Sequence, residues 1–434
     1  MKTESKKIST DEKIDLIIKE ISNYYNIKTI SEAIRLAVNF SIFHHEVCNI
    51  TPEYTAFTKN IMDRVNKIYN KKESTQSFRI STDLLKQAQN IYPTSNSKDK
   101  TGITFAISCC LLETHEHIEY AKSKLPLSSL EPIKQTERLF YRPGVKSGHI
   151  LRKITDSTEE LRKRYDCDTF IEPFAGLANV TLHLKTKFKN ELLNDGEYDN
   201  TNLLFVIQTR ITILSSILSR LPVNKEIYDL LKKKLKSING VPILGDIDKA
   251  AIYYYINFLS GKGTGTSFDL TFTEETLLQG LTSLAKISKR LQNAIITQED
   301  IFIFLKKILR QKGSLEKVII YLDPPYMGTE GYYKAFNSED EKFHEKLKEL
   351  IIKLKKRGAK IILSYRATVT SSNSYTTSEK VQKKLDKLYM NRGFFIQSQK
   401  VTNNQIEILL TSEQVEGSIP YNHNIADLIQ KHVK

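Results

Sequence analysis

The sequence predicts an α/β protein, a mostly parallel sheet with helices on both faces, joined to a mainly helical N-terminal region. Three observations carry this. Between about residues 165 and 365, strand-like apolar runs alternate with helical patterns, as βαβ units require. One run, Val318-Ile319-Ile320-Tyr321-Leu322, is apolar throughout, as a strand buried on both faces must be. It ends at Asp323-Pro324-Pro325-Tyr326, and proline cannot continue a central strand. The chain must therefore turn out at the strand's carboxyl end, where open α/β sheets hold ligands. That turn offers a carboxylate, a carbonyl no local helix can use, and an aromatic face. Together they suit a flat base carrying an exocyclic amine.

The bulk numbers set bounds. A chain of 434 residues has room for two or three domains. Its 65 Lys+Arg against 50 Asp+Glu give a net charge of +15, which suits a polyanionic partner, although a lysine-rich coding bias produces the same excess. The four cysteines (Cys48, Cys109, Cys110, Cys167) form no CxxC pair and no disulfide framework. They predict a reducing, cytoplasmic setting and no structural zinc site. The opening Lys/Ser-rich stretch leads into an amphipathic helix and predicts no secretory signal. No apolar run approaches the ~20 residues that span a bilayer, so no membrane is expected.

Residues 1–125 read as a separate unit. Lys7-Ile8-Ser9-Thr10-Asp11 precedes apolar residues at helical spacing (Ile14, Ile17, Ile18, Ile21), and a second helix runs from Ser31 to Val38. Seventy-two residues on, the opening recurs as Arg79-Ile80-Ser81-Thr82-Asp83. A helix with Leu84, Leu85, Ala88 and Ile91 follows, then a break from Pro93 to Lys100 and another helix across Ala106–Leu111. Each copy is thus a short strand, a Ser/Thr-Asp cap and two helices. The pattern resembles the ribbon-helix-helix DNA-binding fold, in which paired N-terminal strands enter the major groove. Here both copies lie in one chain, as a pseudo-dimer whose ribbon would offer Lys7, Ser9, Arg79 and Ser81 to DNA. The competing reading is a helical domain used for packing or oligomerisation.

A Pro/Ser-containing linker occupies 126–136, and a second domain is expected over 137–434. Phe140 to Gly148 holds a turn with Gly144 and Lys146. Thr169-Phe170-Ile171-Glu172 is a strand ending at Pro173, followed by the small-residue turn Phe174-Ala175-Gly176-Leu177-Ala178, where a ligand can approach the backbone. Some twenty residues later Glu191-Leu192-Leu193-Asn194-Asp195 ends in an acid, at the offset that commonly binds ribose hydroxyls. The turn lacks GxGxxG, so a nucleoside cofactor fits better than a dinucleotide. Helices are expected over 207–221, 227–235 and 249–259. The loop Gly261-Lys262-Gly263-Thr264-Gly265-Thr266 would let Lys262 and Thr264 approach a phosphate backbone. A short strand ending at Asp300, a basic-faced helix from Phe343 to Lys356, a strand at 360–365 and an antiparallel strand at 405–411 complete the order.

Taken together, residues 137–412 resemble a Dam-type, alpha-class DNA N6-adenine methyltransferase. The motifs stand in the family's order: the lysine turn at 140–148, Glu172-Pro173-Phe174-Ala175-Gly176, Asn194-Asp195, Asp300, Asp323-Pro324-Pro325-Tyr326, Leu363-Ser364-Tyr365 and Glu407-Ile408-Leu409-Leu410. Two positions depart from the family pattern: Val145 and Ala178 stand where glycine is usual. The resemblance implies a Rossmann-like methyltransferase sheet and methyl transfer from S-adenosylmethionine to adenine N6 in double-stranded DNA. The target base would be flipped out of the duplex. It further implies Asp323, Pro324, Pro325 and Tyr326 as the catalytic set. Gly144, Lys146, Glu172, Pro173, Phe174, Gly176 and Asp195 would hold the cofactor, with Asp300 near its adenine. Target recognition would lie in an insertion at about 200–292, no metal is called for, and a monomer with a cognate restriction endonuclease as candidate partner is expected. The alternatives are the same chemistry on cytosine N4 or on RNA, or an inactive DNA-binding regulator.

Overall fold

The computed structural model describes residues 3–10, 12–25, 27–48, 52–68, 74–93, 99–124, 139–140, 146, 148–237, 244–261, 263–326, 342–368, 383–402 and 405–422. The chain packs as two compact units. One comprises residues 1–131, 139–143 and 206–288, and the other 132–138, 144–205 and 289–434. This differs from the expected division at 125/137, because the insertion packs with the N-terminal helices.

In the first unit, β1 (Thr3–Thr10) is followed by α1 (Glu12–Tyr24), α2 (Ile30–Cys48) and α3 (Pro52–Ile68). Then come β2 (Ser74–Ser81), α4 (Thr82–Ile91) and α5 (Asp99–Lys124). The expected apolar stripe of α1 is buried at Ile14, Ile17, Ile18 and Ile21. Its counterpart on α4 is buried at Leu85 and Ala88. β1 and β2 pair antiparallel with Lys6 opposite Phe78, two positions related by the 72-residue offset of the repeat. The strand pair is therefore centred on its own internal two-fold. The repeat pattern did not predict α3, whose buried residues Tyr54, Ile61 and Val65 are separated by Lys, Asn and Asp.

The insertion supplies α8 (Tyr198–Leu218), α9 (Lys225–Ser237), α10 (Ile247–Phe258) and α11 (Glu274–Leu291). Arg220 joins it to the N-terminal helices. Its guanidinium lies 4.3 Å from the Tyr120 ring centre and 5.6 Å from that of Phe57, and it donates to the Glu116 carbonyl at 3.2 Å. Lys234 adds an ion pair with Glu46. α8 breaks helical geometry at Arg210. Contrary to the expectation that no apolar run is long enough, α8 is sufficiently long and apolar to cross a membrane by composition, but 67% of that window is buried within the protein.

The second unit carries β3 (Thr169–Glu172), β4 (Asn190–Asn194), β5 (Ile295–Thr297), β6 (Val318–Leu322), β7 (Lys360–Thr368), β8 (Phe395–Thr402), β9 (Gln405–Thr411) and β10 (Ile419–Pro420). Their order across the sheet is β10-β8-β9-β7-β6-β3-β4-β5. β3 to β7 run parallel, whereas β9 pairs antiparallel with β7, as expected. Alternating residues of β6 enter two cores. Ile320 and Leu322 pack with α12 (Ile301–Arg310) and α13 (Lys342–Lys356), while Ile319 and Tyr321 face α6 (Gly148–Tyr165). Burial on both faces is why the strand is apolar without alternation.

Candidate active site

The sheet grows outward from β3 through β4 to β5, then resumes on the other side of β3 with β6 and β7. β3 and β6 thus flank the switch point where doubly wound sheets open a crevice. Their register, Ile171 opposite Ile320, brings Glu172 and Asp323 out at the same edge. Pro324 and Pro325 are buried, and the Asp323 side chain keeps 19% exposure. Lys146 is buried beside it, its ammonium 2.9 Å from Asp323 Oδ1 and 2.7 Å from Glu407 Oε1. The same ammonium contacts the Tyr326 hydroxyl and lies 4.8 Å from that ring's centre. Tyr326 in turn donates to Glu407 Oε1 at 2.7 Å. Burial opposes the Lys146 charge, but Asp323, Tyr321 and Glu407 outweigh it and hold the amine above its ordinary pKa. Burial pushes the Asp323 carboxyl up; Lys146 opposes the shift and Glu407 reinforces it. Beneath them Tyr321 and Ser364 share a buried hydrogen bond of 2.9 Å.

On the other side of the switch point, Glu172 Oε2 accepts from the backbone N–H of Thr181 at 3.2 Å and from its hydroxyl. Burial raises the Glu172 pKa to about 8; the Thr181 bonds oppose this, and the charges of Asp323 and Asp195 add to it. Between strand and helix the chain takes left-handed geometry twice, at Gly176 (φ 53°) and Ala178 (φ 54°). A Cβ placed on Gly176 would meet nothing within 4 Å, so the turn opens onto free space. Asp195 Oδ2 accepts the Gly176 N–H at 2.7 Å and Oδ1 the Glu197 N–H at 2.8 Å. Burial raises its pKa as well. Asn194, fully buried, ties the strand ends together: its amide donates to the carbonyls of Pro173 (3.3 Å) and Glu299 (3.1 Å), and its oxygen accepts from Glu299 N–H (3.0 Å) and Thr297 (2.9 Å).

Most residues expected from the sequence converge on this edge. Glu172, Pro173, Gly176 and Asp195 surround the turn, and Phe174 packs half-buried against the α12/α13 core. Three make contacts within the protein that their expected roles do not include. Lys146, assigned to the cofactor, is committed to Asp323 and Glu407. Asp300 is an exposed N-cap, accepting from Phe302 and Ile303 N–H at 3.0 and 3.1 Å. Ser81, assigned to DNA, is buried and caps α4, accepting from Leu84 N–H at 3.3 Å. Arg79 and Thr264 are exposed, as a DNA contact requires. Gly144 and Lys262 lie outside the described residues, as do the side chains of Lys7 and Ser9.

The sequence reading gave no role to Glu407. The available signal was an acid inside the apolar run Ile406-Glu407-Ile408-Leu409-Leu410, since a buried charge needs a partner. Arg290 was missed too. It makes a two-pronged ion pair with buried Glu191 at 2.6 and 2.8 Å and donates to the Thr181 carbonyl at 2.7 Å, so it anchors the residue that holds Glu172.

A model of the D12 class N6 adenine-specific DNA methyltransferase family matches residues 149–390, more than half of the chain. No match is found among curated proteins.

Proposed function

The chain belongs to the D12 class N6 adenine-specific DNA methyltransferases, and on that premise we propose how its residues divide the work between base and cofactor. Asp323 and the Pro324 carbonyl each accept one hydrogen of the adenine amine. The lone pair of that amine is delocalised into the ring, and both contacts strengthen as positive charge develops on nitrogen, which favours the transition state over the ground state. Lys146 keeps Asp323 ionised and fixed in direction. Tyr326, with its hydroxyl held by Glu407 and Lys146, presents its ring to the flipped base.

The cofactor side is read from charge. Lys146 answers Asp323 and Glu407, but the charges that shift Glu172 and Asp195 are those of other carboxylates. A recess of carboxylates beside an open glycine turn fits a cationic ligand, whose arrival favours their ionised form. S-adenosylmethionine supplies an electrophilic methyl group on a cationic sulfur and carries an ammonium group besides. Glu172 and Asp195 would hold it, with Gly176 leaving room at the backbone. Methyl transfer neutralises the sulfur, so the same recess would hold the product less tightly.

The observation that carries this reading is the Asp323–Lys146–Glu407–Tyr326 cluster at the switch point. Incubation with S-adenosylmethionine and a random DNA library should place N6-methyladenine at one short sequence. Asp323→Asn should slow transfer about 100- to 1000-fold at unchanged cofactor affinity. Methyl groups on cytosine N4, or on RNA in preference to DNA, would overturn the assignment.

For the N-terminal unit, the self-complementary register of β1 and β2 supports a ribbon-helix-helix-like DNA contact within a single chain. Both strands are supplied in cis, which supports a monomer. Replacing Lys7 and Arg79 by Ala should weaken duplex binding and lower the salt slope by about one for each phosphate no longer neutralised. Unaltered binding at both low and high salt would remove the ribbon from the interface.

A further inference from the structure

A second buried polar cluster lies in the first unit. His44 of α2 and Glu113 and His117 of α5 are 7%, 0% and 0% exposed. Glu113 and His117 are four residues apart on one helix, which sets them on the same face. His44 Nδ1 lies 2.8 Å from Glu113 Oε1 and His117 Nε2 3.9 Å from it, and one donor atom from each residue lies within 4.8 Å of the other two. The second carboxylate oxygen of Glu113 accepts from the Tyr92 hydroxyl at 2.7 Å. Phe40 and Phe57 pack on the imidazoles, with ring centres 4.5 and 5.9 Å from that of His117.

The independent clue is His117. It is fully buried, yet neither of its ring nitrogens has a hydrogen-bond partner. Leaving buried donors and acceptors unpaired is costly, and most such groups in proteins have a partner. Two imidazoles and a carboxylate are a common donor set for zinc and for other divalent transition metals. Metal–ligand bonds of about 2.0–2.1 Å place tetrahedral donors about 3.3 Å apart. The present separations of 2.8 and 3.9 Å straddle that value, so closure needs shifts of about half an ångström. Tyr92 already orients Glu113 in the way that residues behind metal-binding carboxylates do.

We propose that His44, Glu113 and His117 bind one divalent transition-metal ion, of the zinc or cobalt class, which clamps α2 to α5. Cysteine spacing, the usual sequence mark of zinc, carries no sign of a site built from histidines.

The test uses the full chain, stripped with a chelator and dialysed against Zn²⁺ or Co²⁺ alone. Expected are about one bound equivalent by elemental analysis, visible Co²⁺ absorption of four- or five-coordinate intensity, and a higher Tm with metal than without. His117→Phe and Glu113→Gln should abolish all three. His115→Ala, in the more exposed Glu20–His115–Glu119 group, should leave them intact. Because the first two variants could lose their fold, the wild type decides independently. A stripped wild-type chain that takes up no metal at micromolar Zn²⁺ and shows no Tm change would overturn the proposal. So would metal retention in a folded His117→Phe.

Discussion

Asp323 and Glu172 end neighbouring strands at one edge of the same sheet, and burial raises the pKa of both, yet their surroundings are opposite. Asp323 has Lys146 at 2.9 Å, with Glu407 and Tyr326 closing a network around the amine. Glu172 has hydroxyl and amide donors from Thr181, and the charges that shift it are negative. On the proposed assignment the substrate side therefore carries its own counter-ion. A base amine arrives neutral, so the carboxylate that receives it must be charged and fixed beforehand. On the same assignment the cofactor side has no lysine or arginine paired to it among the described residues, and the ligand would supply the cation.

Removing the built-in cation should have the largest effect. Lys146→Met leaves Glu407 and Asp323 facing each other without a cation, and losing one partner of a buried ion pair costs about 3–5 kcal/mol. Urea unfolding should show a loss of that size, and activity should vanish even where the fold survives. A loss under about 1 kcal/mol would mean that solvent already screens the network.

Next comes the side without a cation. A cationic ligand prefers ionised Glu172, whose pKa in the free protein is raised to about 8. Binding should therefore tighten as pH rises toward about 8 and level off above it, by at most tenfold per pH unit. Glu172→Gln should bind more weakly and lose that slope. Calorimetric titration across pH reads both, and a wild-type affinity that is flat with pH would put Glu172 outside the cation's reach.

Tyr326→Phe keeps the ring but removes the hydroxyl between Lys146 and Glu407. A hydrogen bond to a charged group contributes about 1.5 kcal/mol at the low end, or roughly tenfold in kcat if the network positions Asp323. An unchanged kcat would leave the ring alone as the functional part. The smallest effect is expected at Ala178, a non-glycine at φ 54°. Ala178→Gly relieves about 1–2 kcal/mol of left-handed strain and loses about 0.5–1 kcal/mol to chain entropy, for a net gain of about 0–1.5 kcal/mol in urea unfolding.

Local features were legible in the sequence where one residue type had one use. Asp323-Pro324-Pro325-Tyr326 had to leave the strand because proline cannot stay in it. Val318 to Leu322 had to be central because it is apolar on both faces. The repeat at Ile8 and Ile80 marked two strands that pair antiparallel about the repeat's own offset. Histidines and acids inside apolar stretches, such as His44 and Glu113, pass unnoticed in such a reading, and Glu407 shows in it only as part of a motif, since their partners are remote in sequence.

The sequence by itself determined the parallel sheet, the switch-point carboxylates and the paired N-terminal copies. Each follows from local rules of period, capping and backbone sterics. Tertiary structure alone decided that Lys146 serves Asp323 and Glu407, contacts that span 177 and 261 residues of chain. It alone placed residues 206–288 in the unit of the N-terminal helices. A charge can be answered by any opposite charge that folding brings near, and burial, unlike strand or helix period, is set by chain segments that leave no mark on the residues they cover.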